Sequence, residues 1–162
     1  MERVLIALDC IPGGRKIVDY LARVLEGTRG CEFVLFHILP TASPGKLRMG
    51  EVERIERIHS ERPDLAGYFW REEDEKCMRD AFALARETLT GSGFGEELIS
   101  SHFSVESGDL ADIILQKADE FGCSTIIMGR RRIGRVKGFL LGSVSGAVLK
   151  MARGKSVWVI DN

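Results

Sequence analysis

The stretch Ser124–Lys150, STIIMGRRRIGRVKGFLLGSVSGAVLK, decides how the rest of the chain is read. It opens on a short apolar run, Thr125-Ile126-Ile127-Met128, with the length and β-branching of a buried strand. A turn rich in glycine and arginine follows. Gly142-Ser143 then leads into a helix-period pattern at Val144, Ala147, Val148 and Met151. Strand, glycine loop and helix start in this order place backbone N–H groups and a helix N-terminus around an anion, and phosphate is the first candidate.

On the N-terminal side, Arg3–Leu8 is a continuous apolar run that ends in Asp9 and a Pro12-Gly13-Gly14 turn. Continuous rather than alternating apolarity predicts a strand buried on both faces, as in parallel sheets. Ile17, Tyr20, Leu21, Val24 and Leu25 then fall at helical spacing until Gly27 and Gly30 end the segment. Phe33–Leu39 is a second buried-strand pattern, stopped by Pro40. The three pieces form a βαβ unit with parallel strands and a right-handed crossover. Residues 40–70 are harder to read. Pro44 and Gly45 mark a loop, Met49, Val52, Ile55 and His59 predict one short amphipathic helix before Pro63, and Tyr68-Phe69-Trp70 form an aromatic cluster. The cluster is expected to pack beneath the next helix, with a mobile flap or partner surface as the alternative.

Arg71–Leu89 reads as a helix whose inner stripe is Cys77, Met78, Ala81, Phe82, Ala85 and Leu89. In Leu98–Val105, Ser100, His102 and Ser104 alternate with Ile99, Phe103 and Val105, the pattern of a strand with one wetter face, hence an edge. Ser107-Gly108-Asp109 caps a helix striped by Leu110, Ile113, Ile114, Ala118 and Phe121, and Gly122 ends it. Ser156–Ile160 is a last strand. Five strands alternating with four main helices, without an internal repeat, predict an α/β fold: a three-layer open, mostly parallel sheet with helices on both faces, one domain over residues 1–162. If the last strand is also an edge, its apolar residues Val157–Ile160 invite pairing with a second copy, so a homodimer through this strand is expected.

Composition narrows the functional classes. At 162 residues, 44% apolar and 29% charged, the chain has the material for a substantial core. Lys and Arg total 23 against 24 Asp and Glu, a net charge of −1, so no global field recruits nucleic acid or an acidic membrane. No run reaches the roughly 20 apolar residues of a membrane span, and the N-terminus lacks a signal-peptide layout. Cys10, Cys31, Cys77 and Cys123 are scattered, without C-x-x-C or a His at ligand spacing. Neither a disulfide nor a zinc framework is expected, and a reducing, cytoplasmic setting is.

The motifs exclude more than they assign. Gly129-x4-Gly134-Arg135-Val136 lacks the Lys and Ser/Thr of a P-loop, which rejects a Walker-type NTPase. Asp9-Cys10-Ile11-Pro12 stands where a dinucleotide-binding fold would carry G-x-G-x-x-G. Asp112, Asp119 and Glu120 have no metal-specifying spacing, and three scattered histidines assemble no triad. His37, in a buried strand, is expected to be a satisfied core residue rather than a catalyst. Arg130, Arg131, Arg132, Arg135 and Lys137 place five cations in eight residues, either as phosphate ligands or as solvated loop charges. RNA is the weaker reading, because the patch is short and Phe139 is its only aromatic.

The chain resembles the universal stress protein family, whose nucleotide-binding members carry G-x2-G-x9-G-[ST] before the last helix. Gly129, Gly142 and Ser143 match, and Arg132 stands at the second glycine. The opening strand ending in Asp9, the second ending in Ile38-Leu39-Pro40, and Val105–Asp109 carry the likeness through the chain, with LLGSVSGAVL (Leu140–Leu149) its most specific piece. The resemblance implies a Rossmann-like adenine nucleotide alpha hydrolase-like fold, with a parallel sheet in the order 3-2-1-4-5. It also implies a noncovalently bound adenine nucleotide, ATP or AMP, with or without Mg²⁺, where the first and fourth strands meet. Asp9 would accept from the adenosine part and Ile38 would lie beside the base. Gly129, Gly142 and Ser143 would line the phosphates, and Met128, Arg131, Arg132 and Val144 would complete the nucleotide-binding set. The function implied is regulation in a stress response, with at most slow ATP hydrolysis and protein partners unnamed. The alternative is a member without nucleotide that acts as a structural or interaction dimer.

Overall fold

A computed structural model describes residues 1–10, 13–105, 108–130 and 142–161. The strands are β1 (Glu2–Ala7), β2 (Cys31–Leu39), β3 (Ile99–Val105), β4 (Thr125–Arg130) and β5 (Ser156–Asp161). The helices are α1 (Gly13–Val24), α2 (Met49–Glu61), α3 (Glu72–Gly91), α4 (Leu110–Glu120) and α5 (Ser143–Met151). All strand pairs are parallel, and the order is β3-β2-β1-β4-β5. The central strand β1 aligns Val4 with Phe33 of β2 on one side and with Thr125 of β4 on the other. Strands β3 and β5 are the two edges.

Period-two alternation sorts β1 between two apolar layers. Val4, Ile6 and Leu8 pack with Ile17, Val18 and Leu21 of α1 and with Ala85 and Leu89 of α3. Leu5 points the other way, toward Ala111, Ile114 and Ala118 of α4 and Val148 of α5. The α1 stripe is rotated from the expected one: Val18 is buried, whereas Tyr20 and Val24 are 40% and 46% exposed. Met151 of α5 is likewise exposed, because that helix turns Ser145 and Val148 inward. In α4 the expected cap holds, with the Asp109 carboxylate accepting from the N–H groups of Ala111 and Asp112 at 2.8 and 3.3 Å.

Residues 40–70 build a third apolar cluster at the C-terminal ends of β2 and β3. Ile55 of α2, Leu65, Trp70 and Met78 of α3 close over Leu39 and Val105. Helix α2 lies where the apolar spacing places it, although Met49 is exposed, and the aromatic cluster packs inward as expected, with Trp70 fully buried. One carboxylate knits this region together. Glu51 accepts from the backbone N–H of Arg48 at 2.8 Å and of Glu72 at 3.1 Å, so it caps α2 and joins it to the start of α3. The first turn of α3 carries Glu72, Glu73, Asp74 and Glu75, charges that suit the positive end of a helix dipole.

Candidate functional site

The strand order reverses between β1 and β4, and a crevice opens beyond their C-terminal ends. A cavity of about 500 Å³ lies there, inside the roughly 300–1,000 Å³ range of small-molecule sites. Asp9 lies just beyond β1, Ile38 is the last residue but one of β2, Met128 and Gly129 belong to β4, and Gly142, Ser143 and Val144 begin α5; all of them line the hollow. Residues singled out along more than 130 positions of sequence therefore meet at one place. Arg131 and Arg132, with Arg135 and Lys137, lie outside the described residues.

The hollow has two kinds of wall. Phe36, Ile38, Leu110, Ile114 and Met128 form an apolar side suited to a flat, hydrophobic ring. Asp9, His37, Asp74 and the first turn of α5 form the polar side. Gly142 is the N-cap of α5 and brings no side chain to its first turn. Ser145 Oγ–H donates to the Gly142 carbonyl at 3.1 Å, and the Gly146 N–H to the same oxygen at 2.8 Å. The first N–H groups of a helix have no intrahelical acceptor and carry the positive end of its dipole, so this turn is suited to an anion.

Two local features hold the β1 end. The Asp9 carboxylate accepts the Cys10 N–H at 2.8 Å. A Cβ on Gly14 would lie 2.9 Å from the Asp9 carbonyl oxygen, so only glycine lets the first turn of α1 come down on that strand end. The second glycine of Pro-Gly-Gly is the sequence signal for this close approach.

His37 is buried, and its Nδ1 is 2.8 Å from the Leu8 carbonyl oxygen. A carbonyl only accepts, so Nδ1–H is the donor, and a neutral ring presents an unprotonated Nε2 on its other side. This is the satisfied core histidine expected from the sequence, but it also faces chemistry. Its Nε2 lies 3.9 Å from Cys10 Sγ.

The cysteines require a correction. Cys10 and Cys77 are joined as a disulfide, with Cα atoms 5.6 Å apart, whereas no disulfide was expected from their scattered positions. Their separation of 67 residues gives no local signal. The crossover from β2 to β3 lays α3 over the end of β1, and only there do the two meet. Cys31 and Cys123 are free thiols.

Beside the crevice, α3 carries a buried carboxylate that the sequence reading missed. Glu75 accepts from Trp70 Nε1 at 2.8 Å and from Arg54 at 2.6 Å, and it pairs with Arg79 as well. Burial pushes its pKa up. The Trp70 hydrogen bond and the two arginines outweigh that and hold it below the usual carboxylate value. The available signal was a glutamate three residues before Met78 and seven before Phe82, on the stripe that faces inward. Among the described residues no group of three or more His, Cys, Asp or Glu is placed to hold a metal ion. No described helix is long and apolar enough to cross a membrane.

An open parallel sheet with a hollow at its order reversal defines a Rossmann-like α/β protein. The chain belongs to the universal stress protein family, whose family model matches residues 1–160. Solved structures agree on the fold. A universal stress protein from Archaeoglobus fulgidus superposes with a TM-score of 0.68 at 19% identity, covering 99% of this chain and 98% of that one. The Archaeoglobus fulgidus protein in complex with dAMP gives 0.63 at 19% identity, over 99% and 98% of the two chains. A universal stress protein in complex with cAMP gives 0.64 at 16% identity, over 98% and 96%. A comparison with curated proteins returned no match.

Proposed function

We propose that this chain is a regulatory universal stress protein that binds an adenine nucleotide, ATP or AMP, in the β1/β4 crevice. The observation that carries the reading is the pairing of an apolar wall with the N-terminal turn of α5 in one hollow. Ile38 and Met128 take the faces of the base, and Asp9 accepts hydrogen bonds from the adenosine part. Gly129, Gly142, Ser143 and Val144 surround the phosphates, with backbone N–H groups as donors. Arg131 and Arg132 are proposed to add charge-assisted bonds to the same phosphates. Complexes of two fold relatives with dAMP and cAMP support the ligand class. Any Mg²⁺ would arrive with the phosphates of ATP.

Isothermal titration of the full chain with ATP and with AMP, with and without Mg²⁺, tests this. Saturable heat with a Kd below about 1 mM, which corresponds to roughly −4 kcal/mol, is expected. An absence of heat at millimolar nucleotide would overturn the reading.

We also propose that the protein acts in the cytoplasm as a homodimer through β5. That strand is a sheet edge, and its half-buried Val157, Trp158, Val159 and Ile160 offer an apolar ridge for a second copy. Light scattering on a sizing column is expected to give twice the 18.0 kDa chain mass. A monomer at micromolar concentration removes the proposal.

A further inference from the structure

We propose that Cys10 and Cys77 are a reversible dithiol–disulfide pair, with His37 as proton acceptor, whose bridged form raises the affinity of the crevice for nucleotide; this last clause rests on the nucleotide reading above. Three placements carry the proposal. Cys10 lines the cavity directly after Asp9, so a small oxidant in the crevice has access to it. His37 aims Nε2 at the Cys10 sulfur from 3.9 Å. Its ring is held by the hydrogen bond to Leu8 and by the edge contact with Phe82, centroids 6.5 Å apart. Cys77 supplies the second sulfur from α3 and lies 3.5 Å from the Cys10 carbonyl oxygen.

The chemistry is thiol–disulfide exchange with a low-molecular-weight disulfide such as oxidised glutathione. In the reduced protein, His37 Nε2 takes the proton of the Cys10 thiol, and the thiolate attacks one sulfur of the oxidant. One S–S bond breaks, a mixed disulfide forms and one glutathione thiolate leaves, to be protonated from the His37 imidazolium. Cys77 then gives its proton to water and attacks the Cys10 sulfur as thiolate; the Cys10–glutathione S–S bond breaks, and the second glutathione leaves as thiolate and takes up a proton from water. Two protein thiols and one glutathione disulfide become one protein disulfide and two glutathione thiols. A dithiol reverses the sequence.

The bridge bears on ligand binding through its position. It ties the segment that follows Asp9 to α3, while Asp74, also on α3, lines the same cavity. Two walls of the crevice are thereby held together before the ligand arrives, and a preorganised site loses less entropy on binding. Cys31 and Cys123, left as free thiols, set this protein apart from disulfide-stapled scaffolds.

The test uses the full chain equilibrated in glutathione buffers from reducing to oxidising, quenched in acid, then denatured, alkylated and weighed by mass spectrometry. Cys10 and Cys77 should lose alkylation together as the buffer becomes oxidising, and regain it with dithiothreitol. Thiols that stay alkylated throughout, or a bridge that resists dithiothreitol in the native protein, would overturn the pair. His37→Asn keeps a donor for the Leu8 carbonyl and removes the base. It should slow bridge formation by about a hundredfold, the lower end of the scale of general-base assistance, and an unchanged rate removes His37 from the proposal. In titrations with AMP the bridged form should bind about tenfold more tightly than the reduced form, a change of the size expected from fixing one backbone residue in advance. Cys77→Ser should bind like the reduced form in both buffers. Equal or weaker binding by the bridged protein overturns the control of affinity while alkylation still judges the pair. No binding in either state sinks the nucleotide reading and the control together.

Discussion

Helix α3 borders two neighbourhoods at the C-terminal end of the sheet, and they treat their polar groups in opposite ways. Toward residues 40–70, Glu75 is buried and surrounded by donors from Trp70, Arg54 and Arg79. Toward the crevice, Asp74 and Cys77 of the same helix stand beside a cavity with the first turn of α5 across it. The first neighbourhood pairs the Glu75 carboxylate from within and seals it with Ile55, Leu65 and Met78. The second holds polar groups at the surface of a hollow large enough for a ligand. Closely spaced residues of one helix thus serve a structural anchor and a binding wall, because positions 75 and 77 lie about 200° apart around a helix with 3.6 residues per turn.

The contrast predicts separable effects, the largest at the anchor. Glu75→Ala leaves Trp70 Nε1 and the half-buried Arg54 without their acceptor, which should cost about 3 kcal/mol in urea unfolding. Glu75→Gln should cost less, since it keeps an acceptor for Trp70. If neither substitution lowers stability, the anchor is not one. Acid provides a second reading of the same group. Its folded pKa is depressed, so the stabilisation is fully present above the ordinary glutamate value of about 4.3 and is lost as pH falls through the lowered folded value. The Glu75→Gln protein should therefore lose less stability than wild type between about pH 5 and pH 3; parallel curves would contradict the assignment.

A smaller effect is expected where the two neighbourhoods meet β1. Gly14→Ala places a methyl group 2.9 Å from the Asp9 carbonyl oxygen, a backbone atom that gives way only with the strand end. A loss of about 1–2 kcal/mol is expected, with weaker AMP binding in titration, because Asp9 moves with its carbonyl. Unchanged affinity with reduced stability would show that the carboxylate is positioned independently of α1.

The smallest change in stability should come with a large change in binding. Gly142→Asp supplies α5 with a capping carboxylate, and stability should stay within about 0.5 kcal/mol or rise slightly. The same charge occupies the end of the helix proposed to meet phosphate, so AMP affinity should fall by at least about tenfold, comparable to losing one charge-assisted contact. Retained affinity would place the phosphates elsewhere.

The sequence by itself determined the layers. Continuous apolar runs at Val4–Leu8, Phe33–Leu39 and Thr125–Met128 cannot be solvated on either face, so they specify buried parallel strands. Asp109, Gly142 and the glycines near helix ends mark boundaries through local backbone chemistry, which is legible wherever it lies in the chain. The strand order followed from resemblance to a family, and with it the meeting of Asp9, Ile38, Gly129 and Ser143 in one crevice. Tertiary structure alone decided the pairings between distant segments. Cys10 finds Cys77 because the crossover lays α3 over the end of β1, and Arg54 finds Glu75 because α2 folds back onto α3. Periodicity reports which face of an element avoids water. It is silent on which partner that face meets, and so it points the Tyr20 and Val24 side of α1 inward and does not by itself mark Glu75 as buried.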